Sequence, residues 1–147
     1  MTKTDYYLGI ARAVSKKSTC LKKQYGAVIV KDDEVIATGY NDTCRKEAHC
    51  TTCTKPSGNG DIEEYAVCPA VHAEMNAIIS ASRKEMLGAD LYLAGFNSSS
   101  GKEIEAHPCE ICLRLIKNAG IGRVVNSTGI IYHRADDGIL YKGSWFR

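Results

Sequence analysis

Apolar positions recur along this chain in two rhythms, one helical and one of short β-branched runs. Over residues 4–18, Tyr6, Tyr7, Ile10, Ala11 and Val14 repeat at helical spacing, which predicts an amphipathic helix with Thr4 or Asp5 capping its start. The runs YGAVIV (25–30) and VIATGY (35–40) flank Lys31-Asp32-Asp33-Glu34 and predict a hairpin. From Asn41 to about Ala70 periodicity disappears. The loop predicted there holds Cys44, Cys50, Cys53 and Cys68, with Pro56-Ser57-Gly58-Asn59-Gly60 at its centre. A loop that long inside a compact domain is usually functional or tied down.

Helical spacing returns over 72–86, with Met75, Ile78, Ile79 and Met86 as the expected buried stripe. ADLYLA (89–94) reads as a strand, and the polar loop FNSSSGKEIEA leads from it to His107-Pro108-Cys109. A second helix is predicted over 109–119, with Ile111, Leu115 and Ile116 apolar and Gly120 as its stop. Arg123-Val124-Val125 reads as a short strand. The apolar runs IIYH and ILYK then surround Ala135-Asp136-Asp137-Gly138, as a C-terminal hairpin or tail within 127–147. Strands alternating with helices after the first hairpin imply a mixed α/β layer fold.

The length of 147 residues suits one domain over 1–147, with 41–70 as a cysteine-rich insert. A net charge of +2 is too small to argue for nucleic acid or an acidic membrane as partner, and Lys16, Lys17, Lys22 and Lys23 read as a solvated basic surface. MTKTDYYLGI lacks a basic segment followed by an apolar run, and no apolar stretch is long enough to span a bilayer. These features predict a soluble, cytoplasmic protein. Cysteine changes the picture. Seven is many for a reducing compartment, and an odd number fits a disulfide framework poorly, so metal binding is the first alternative.

Two short patterns carry the chemistry: His72-Ala73-Glu74 and Pro108-Cys109-Glu110-Ile111-Cys112, each at the start of a predicted helix. The spacing of Cys109 and Cys112 puts both sulfurs on one helical face, where unpaired N–H groups and the dipole favour thiolates. Pro108 suits a first turn that needs no N–H donor from it. His72 adds a nitrogen ligand. Two thiolates and one imidazole suit a catalytic zinc that keeps a fourth position for water. Glu74 is close enough in sequence to reach the space beside the metal and move protons there. A CxxC pair alone also occurs in structural zinc sites and redox motifs, but those readings leave His72 and Glu74 without a role.

Together the two patterns are similar to the H-x-E and P-C-x-x-C signature of zinc deaminases of cytosine and adenine. Over roughly residues 5–126 the chain resembles the cytidine and deoxycytidylate deaminase family, most closely its deoxycytidylate branch. The resemblance is carried by Ser18-Thr19-Cys20, Gly26-Ala27-Val28-Ile29-Val30, Gly39-Tyr40-Asn41, His49-Cys50, Cys53, Cys68, HAEMNAI (72–78), Cys109, Cys112 and Leu115-Ile116 with Asn118-Ala119-Gly120-Ile121. It implies a three-layer α/β/α sandwich with a central mixed sheet, a homo-oligomer (commonly a hexamer), and conversion of dCMP to dUMP. It implies a second, structural zinc on Cys20, Cys50, Cys53 and Cys68. On the residues alone the alternative is four free thiols with Cys20 buried; His49 could replace one cysteine as a substitute ligand, and Cys44 reads as a free thiol. The resemblance also implies substrate contacts from Asn41, Ala73, Lys17 and Ser18, the last two at the phosphate. On the residues alone, Asn41 equally suits a turn after a strand, and Lys17 equally suits a helix end.

Asn76 and Tyr92 read as local or core residues, and Trp145 and Phe146 as candidate covers for a pocket or a subunit contact. The loop before His107 is longer than is usual in the family, and His107 stands where Phe or Gln is common. The segment DTCRKEA lacks the Gly/Pro-rich pattern of the allosteric nucleotide site, so the resemblance does not extend to feedback control by dCTP and dTTP. Three functions therefore compete: a dCMP deaminase, a deaminase of another nucleoside, nucleotide or nucleobase, and a non-catalytic zinc protein used in assembly. Retention of Glu74 favours an enzyme.

Overall fold

A computed structural model describes residues 1–53 and 67–143. The centre of the predicted loop, Pro56–Gly60, and the residues Trp145 and Phe146 lie outside the described residues. The elements are α1 (Lys3–Ser15), β1 (Lys23–Lys31), β2 (Glu34–Tyr40), β3 (Asp42–Thr43), β4 (Ala70–Val71), α2 (Ala73–Ile79) and α3 (Arg83–Met86). They continue with β5 (Asp90–Asn97), β6 (Glu103–Ile104), α4 (Glu110–Ala119), β7 (Arg123–Asn126), β8 (Gly129–Arg134) and β9 (Leu140–Lys142).

The main sheet has seven strands in the order β2-β1-β5-β7-β8-β9, with β6 paired to β5. β5 and β7 are parallel and the other pairs antiparallel, so the sheet is mixed as expected. Residues alternate between its two faces. Val28, Val30, Tyr92, Ala94 and Val125 pack with Tyr7, Leu8 and Ala11 of α1. Ala27, Ile29, Leu91, Leu93 and Val124 pack on the opposite side with Ala73 and Ala77 of α2, Met86 of α3, and Ile116 and Ala119 of α4. This is the three-layer α/β/α sandwich. Helices on both faces explain why β1 reads as an unbroken apolar run and not as an alternation.

The β1–β2 turn falls on Asp32 and Asp33, both in the left-handed region (φ 50° and 63°), as a tight two-residue hairpin requires. Tyr7 Oη donates to Asp33 Oδ1 at 2.6 Å and ties this turn to α1. Of the hairpin or tail expected at the C-terminal end, the structure forms a hairpin, β8 with β9, which extends the main sheet. Asp42 and Thr43 pair with Val71 and Ala70, a short ladder that closes the ends of the cysteine-rich insert.

Three sequence expectations need correction. The first helix is capped by Thr2, in a reciprocal box with Asp5, and ends at Ser15. Tyr6 lies on its exposed side, and Leu8 is buried in its place. The helix expected over 72–86 is two helices: α2 closes at Ser80, and Ser82 opens α3 with a capping box to Glu85. Ile79, expected in the core, is 76% exposed because it sits at the end of α2, where the chain leaves the sheet. On α4 the buried stripe is Cys112, Ile116 and Ala119, with Leu115 at the surface.

Candidate metal centre

Each half of the centre is the start of a helix. His72 is the N-cap residue of α2, in extended backbone conformation, and Cys109 is the N-cap residue of α4. Cys109 Sγ accepts from the Cys112 N–H at 3.4 Å, a contact that favours the thiolate. Glu74, in the first turn of α2, is buried, and so is Cys112 in the first turn of α4.

Packing brings the two helix starts together. Gly39 of β2 lies directly under α2, where a Cβ would collide with the backbone of Ala73 and Ala77. Asn76 Nδ2 donates to the Tyr40 carbonyl at 2.8 Å and fixes the helix over the end of that strand. Gly120, with φ 81°, ends α4 as expected.

His72 Nδ1 lies 3.5 Å from Cys109 Sγ and 3.2 Å from Cys112 Sγ. With Zn–S near 2.3 Å and Zn–N near 2.0 Å, two ligands of a tetrahedral zinc stand about 3.5 Å apart. Among the described residues, these three form the one group of His, Cys, Asp or Glu donors all within 4.8 Å of one another. The donor set fits zinc in type, number and spacing.

The protons of the cluster follow from its burial. A hydrogen bond with Cys109, followed by burial, pushes the Cys112 thiol up, so the pair needs a cation to ionise fully. Burial is also the main cause that pushes the Glu74 carboxyl up, to about 7, against the lowering effect of its own backbone N–H and of His72. A carboxyl poised there can both take and return a proton.

Tyr25 is a residue that sequence reasoning passed over. Burial first, and then the charges of Glu74, Cys20 and Cys109, push its hydroxyl up to about 12, which places it among these groups. It reads in sequence as an ordinary strand aromatic, and only the pairing of β1 with β5 puts its ring against Gly95.

The remaining sequence candidates separate into places. Cys20, Cys50, Cys53 and Cys68 line one cavity together with Thr19, Asp42 and Thr43. Burial, followed by Cys68, Cys20 and Cys53, pushes the Cys50 thiol up. His49 Nδ1 lies 3.0 Å from Thr19 Oγ1 and 3.2 Å from Asp42 Oδ1, beside that cavity. Cys44 is exposed and does not line that cavity.

Asn41 is nearly buried, and both ends of its amide serve β1: Oδ1 accepts from the Tyr25 N–H at 2.8 Å and Nδ2 donates to the Lys23 carbonyl at 2.9 Å. Ala73 is fully buried in the first turn of α2. Lys17 is exposed and Ser18 buried just past α1, where the Ser18 hydroxyl accepts from the Cys20 N–H at 3.2 Å.

A family model for the cytidine and deoxycytidylate deaminase zinc-binding region matches residues 1–128. The deoxycytidylate deaminase of Mycobacterium phage D29 is 39% identical over 127 residues, which cover 82% of this chain and 91% of the phage protein. That of Saccharomyces cerevisiae is 35% identical over 84% of this chain, and the match spans 36% of the yeast protein. Among solved structures, the dCMP deaminase of cyanophage S-TIM5 in apo form superposes with a TM-score of 0.62 at 25% identity. The match covers 84% of this chain and 80% of that one.

Proposed function

Since the chain belongs to the cytidine and deoxycytidylate deaminase family, we propose that its reaction is the hydrolytic deamination of dCMP to dUMP and ammonia. One observation carries the reading: His72 Nδ1 meets the sulfurs of Cys109 and Cys112 beside the buried carboxyl of Glu74. His72, Cys109 and Cys112 would hold the zinc. When bound there, zinc supplies a Lewis acid and a water of lowered pKa.

Glu74 takes a proton from the incoming water and gives it to the pyrimidine ring nitrogen, then carries the proton left on the new C4 hydroxyl to the amine that leaves C4. Its burial keeps that traffic away from bulk solvent, and the first turn of α2 holds it in place. The atoms balance: water adds across the bond between C4 and the ring nitrogen, the bond from C4 to the exocyclic amine breaks, and ammonia departs.

Asn41, Ala73, Lys17 and Ser18 are the proposed substrate contacts. Lys17 and Ser18 combine a cation with a hydroxyl where α1 ends, a pairing suited to a phosphate monoester. Cys20, Cys50, Cys53 and Cys68 are the proposed ligands of a second, structural zinc, with His49 held beside them by Asp42 as the substitute. The four line one cavity, where thiolates would suit a closed tetrahedral site, although no three of their sulfurs stand within 4.8 Å of one another in this structure. The reading is completed by a cytoplasmic homo-oligomer, a hexamer by resemblance. No described helix is long and apolar enough to cross a membrane.

The test is ammonia release from a panel of dCMP, CMP, deoxycytidine, cytosine, and guanine and adenine nucleotides. dCMP is expected to react fastest. Inert dCMP beside another reactive amine would transfer the same chemistry to that substrate.

A further inference from the structure

Residues 105–108, which carry the chain from β6 to the ligand Cys109, lie outside every helix and strand. No backbone ladder therefore sets where Cys109 begins α4. A polar side chain from another element does reach this segment. Asn126, at the end of β7, is fully buried, and its Nδ2 donates to the Ala106 carbonyl at 2.8 Å. Asn126 Oδ1 accepts from the Thr128 N–H at 2.9 Å and from the Thr128 hydroxyl at 2.7 Å, so both ends of the amide are used.

The contacts continue outward. Thr128 Oγ1 lies 3.4 Å from Glu105 Oε1, and the same carboxylate oxygen lies 3.4 Å from His107 Nε2. Asn126 thus grips Ala106, three residues before Cys109, directly, while the single Thr128 hydroxyl proton is held by Asn126 Oδ1 at the shorter distance. Ala106 is itself 1% exposed, so without Asn126 its carbonyl would have no water to turn to.

We propose that Asn126 is a positioning residue for the metal centre. It locks the 105–108 segment so that Cys109 Sγ stands at ligand distance from His72, and Thr128 in turn fixes the orientation of its amide. The inference rests on the metal-centre reading above. Outer partners that orient a metal's ligands are worth about 10–100-fold in metal affinity or activity.

The test uses the zinc-loaded full chain and three variants: Asn126→Ser, too short to reach Ala106; Thr128→Val, which lacks only the hydroxyl; and the conservative Thr128→Ser. The readouts are the rate at which a chelator removes the zinc whose loss tracks turnover, hydrogen exchange of the 106–109 amides, and kcat and KM for dCMP. Asn126→Ser is expected to release that zinc about 10–100-fold faster, to exchange faster at 106–109, and to lose kcat with KM within about twofold. Thr128→Val should fall between it and the parent, and Thr128→Ser should match the parent.

Folded Asn126→Ser with zinc release and kcat within about twofold of the parent would overturn the proposal. If that variant does not fold, Thr128→Val decides, and release equal to that of Thr128→Ser would overturn it. A parent chain whose turnover survives complete zinc removal would instead overturn the metal-centre reading, and this inference with it.

Discussion

Cys112 Sγ lies 3.2 Å from His72 Nδ1 although the two residues are 40 apart in the chain. Nothing local brings them together. The contact exists because α2 and α4 pack on one face of the sheet with their first turns converging, and because α2 is seated directly on Gly39 of β2.

That seating gives a first prediction. Gly39→Ala adds a Cβ that must collide with the backbone of Ala73 and Ala77, and so it should lift the helix that carries His72 and Glu74. A loss of about 1–3 kcal/mol in urea unfolding is expected, with weaker zinc retention. Gly9→Ala is the opposite case. It lies within α1 with nothing within 4 Å of an added Cβ, and it should gain about 0.5–1 kcal/mol. Equal effects of the two substitutions would contradict the packing argument.

A second prediction concerns the thiols. In zinc-loaded native protein, Cys109 and Cys112 should resist a chromogenic disulfide reagent, while the exposed Cys44 reacts quickly. If the cavity of Cys20, Cys50, Cys53 and Cys68 also holds zinc, those four are protected too, and metal analysis gives about two zinc ions per chain. About one zinc per chain with fast labelling at Cys50 and Cys53 would remove the structural site and leave the catalytic one.

Much of this is legible in the sequence, and the rest has physical reasons. The H-x-E and C-x-x-C spacings announce the metal centre because ligand chemistry tolerates few residue types. The break at Ser80–Ser82 is masked because the apolar spacing of Ile78, Ile79 and Met86 runs across it. A signal is nonetheless present in Ser82-Arg83-Lys84-Glu85, a capping-box pattern, as it is in Thr2 with Asp5. Tyr25 and Asn126 carry no readable signal. Their roles come from strand pairing and from a contact to Ala106 across the fold, which periodicity does not encode.

A third prediction follows from Glu74. Its carboxyl must be ionised to accept a proton, so kcat/KM should fall as pH drops through its pKa. Burial raises that pKa from 4.5 towards about 7, and a bound cation pulls it back down, so the acid limb should lie between these values. The profile should be recorded with zinc content at each pH. A flat profile down to pH 4.5 in folded, zinc-loaded protein would contradict the role of Glu74 as base.

The measurement closest to the central claim is dCMP turnover by zinc-loaded Glu74→Gln, with metal content determined on the same sample. Glu74 is not among the three metal donors, so zinc binding should stay near the parent level. dUMP formation should fall by about 10²–10⁴-fold, the usual worth of a positioned acid–base group. Turnover close to that of the parent at equal zinc would contradict the account.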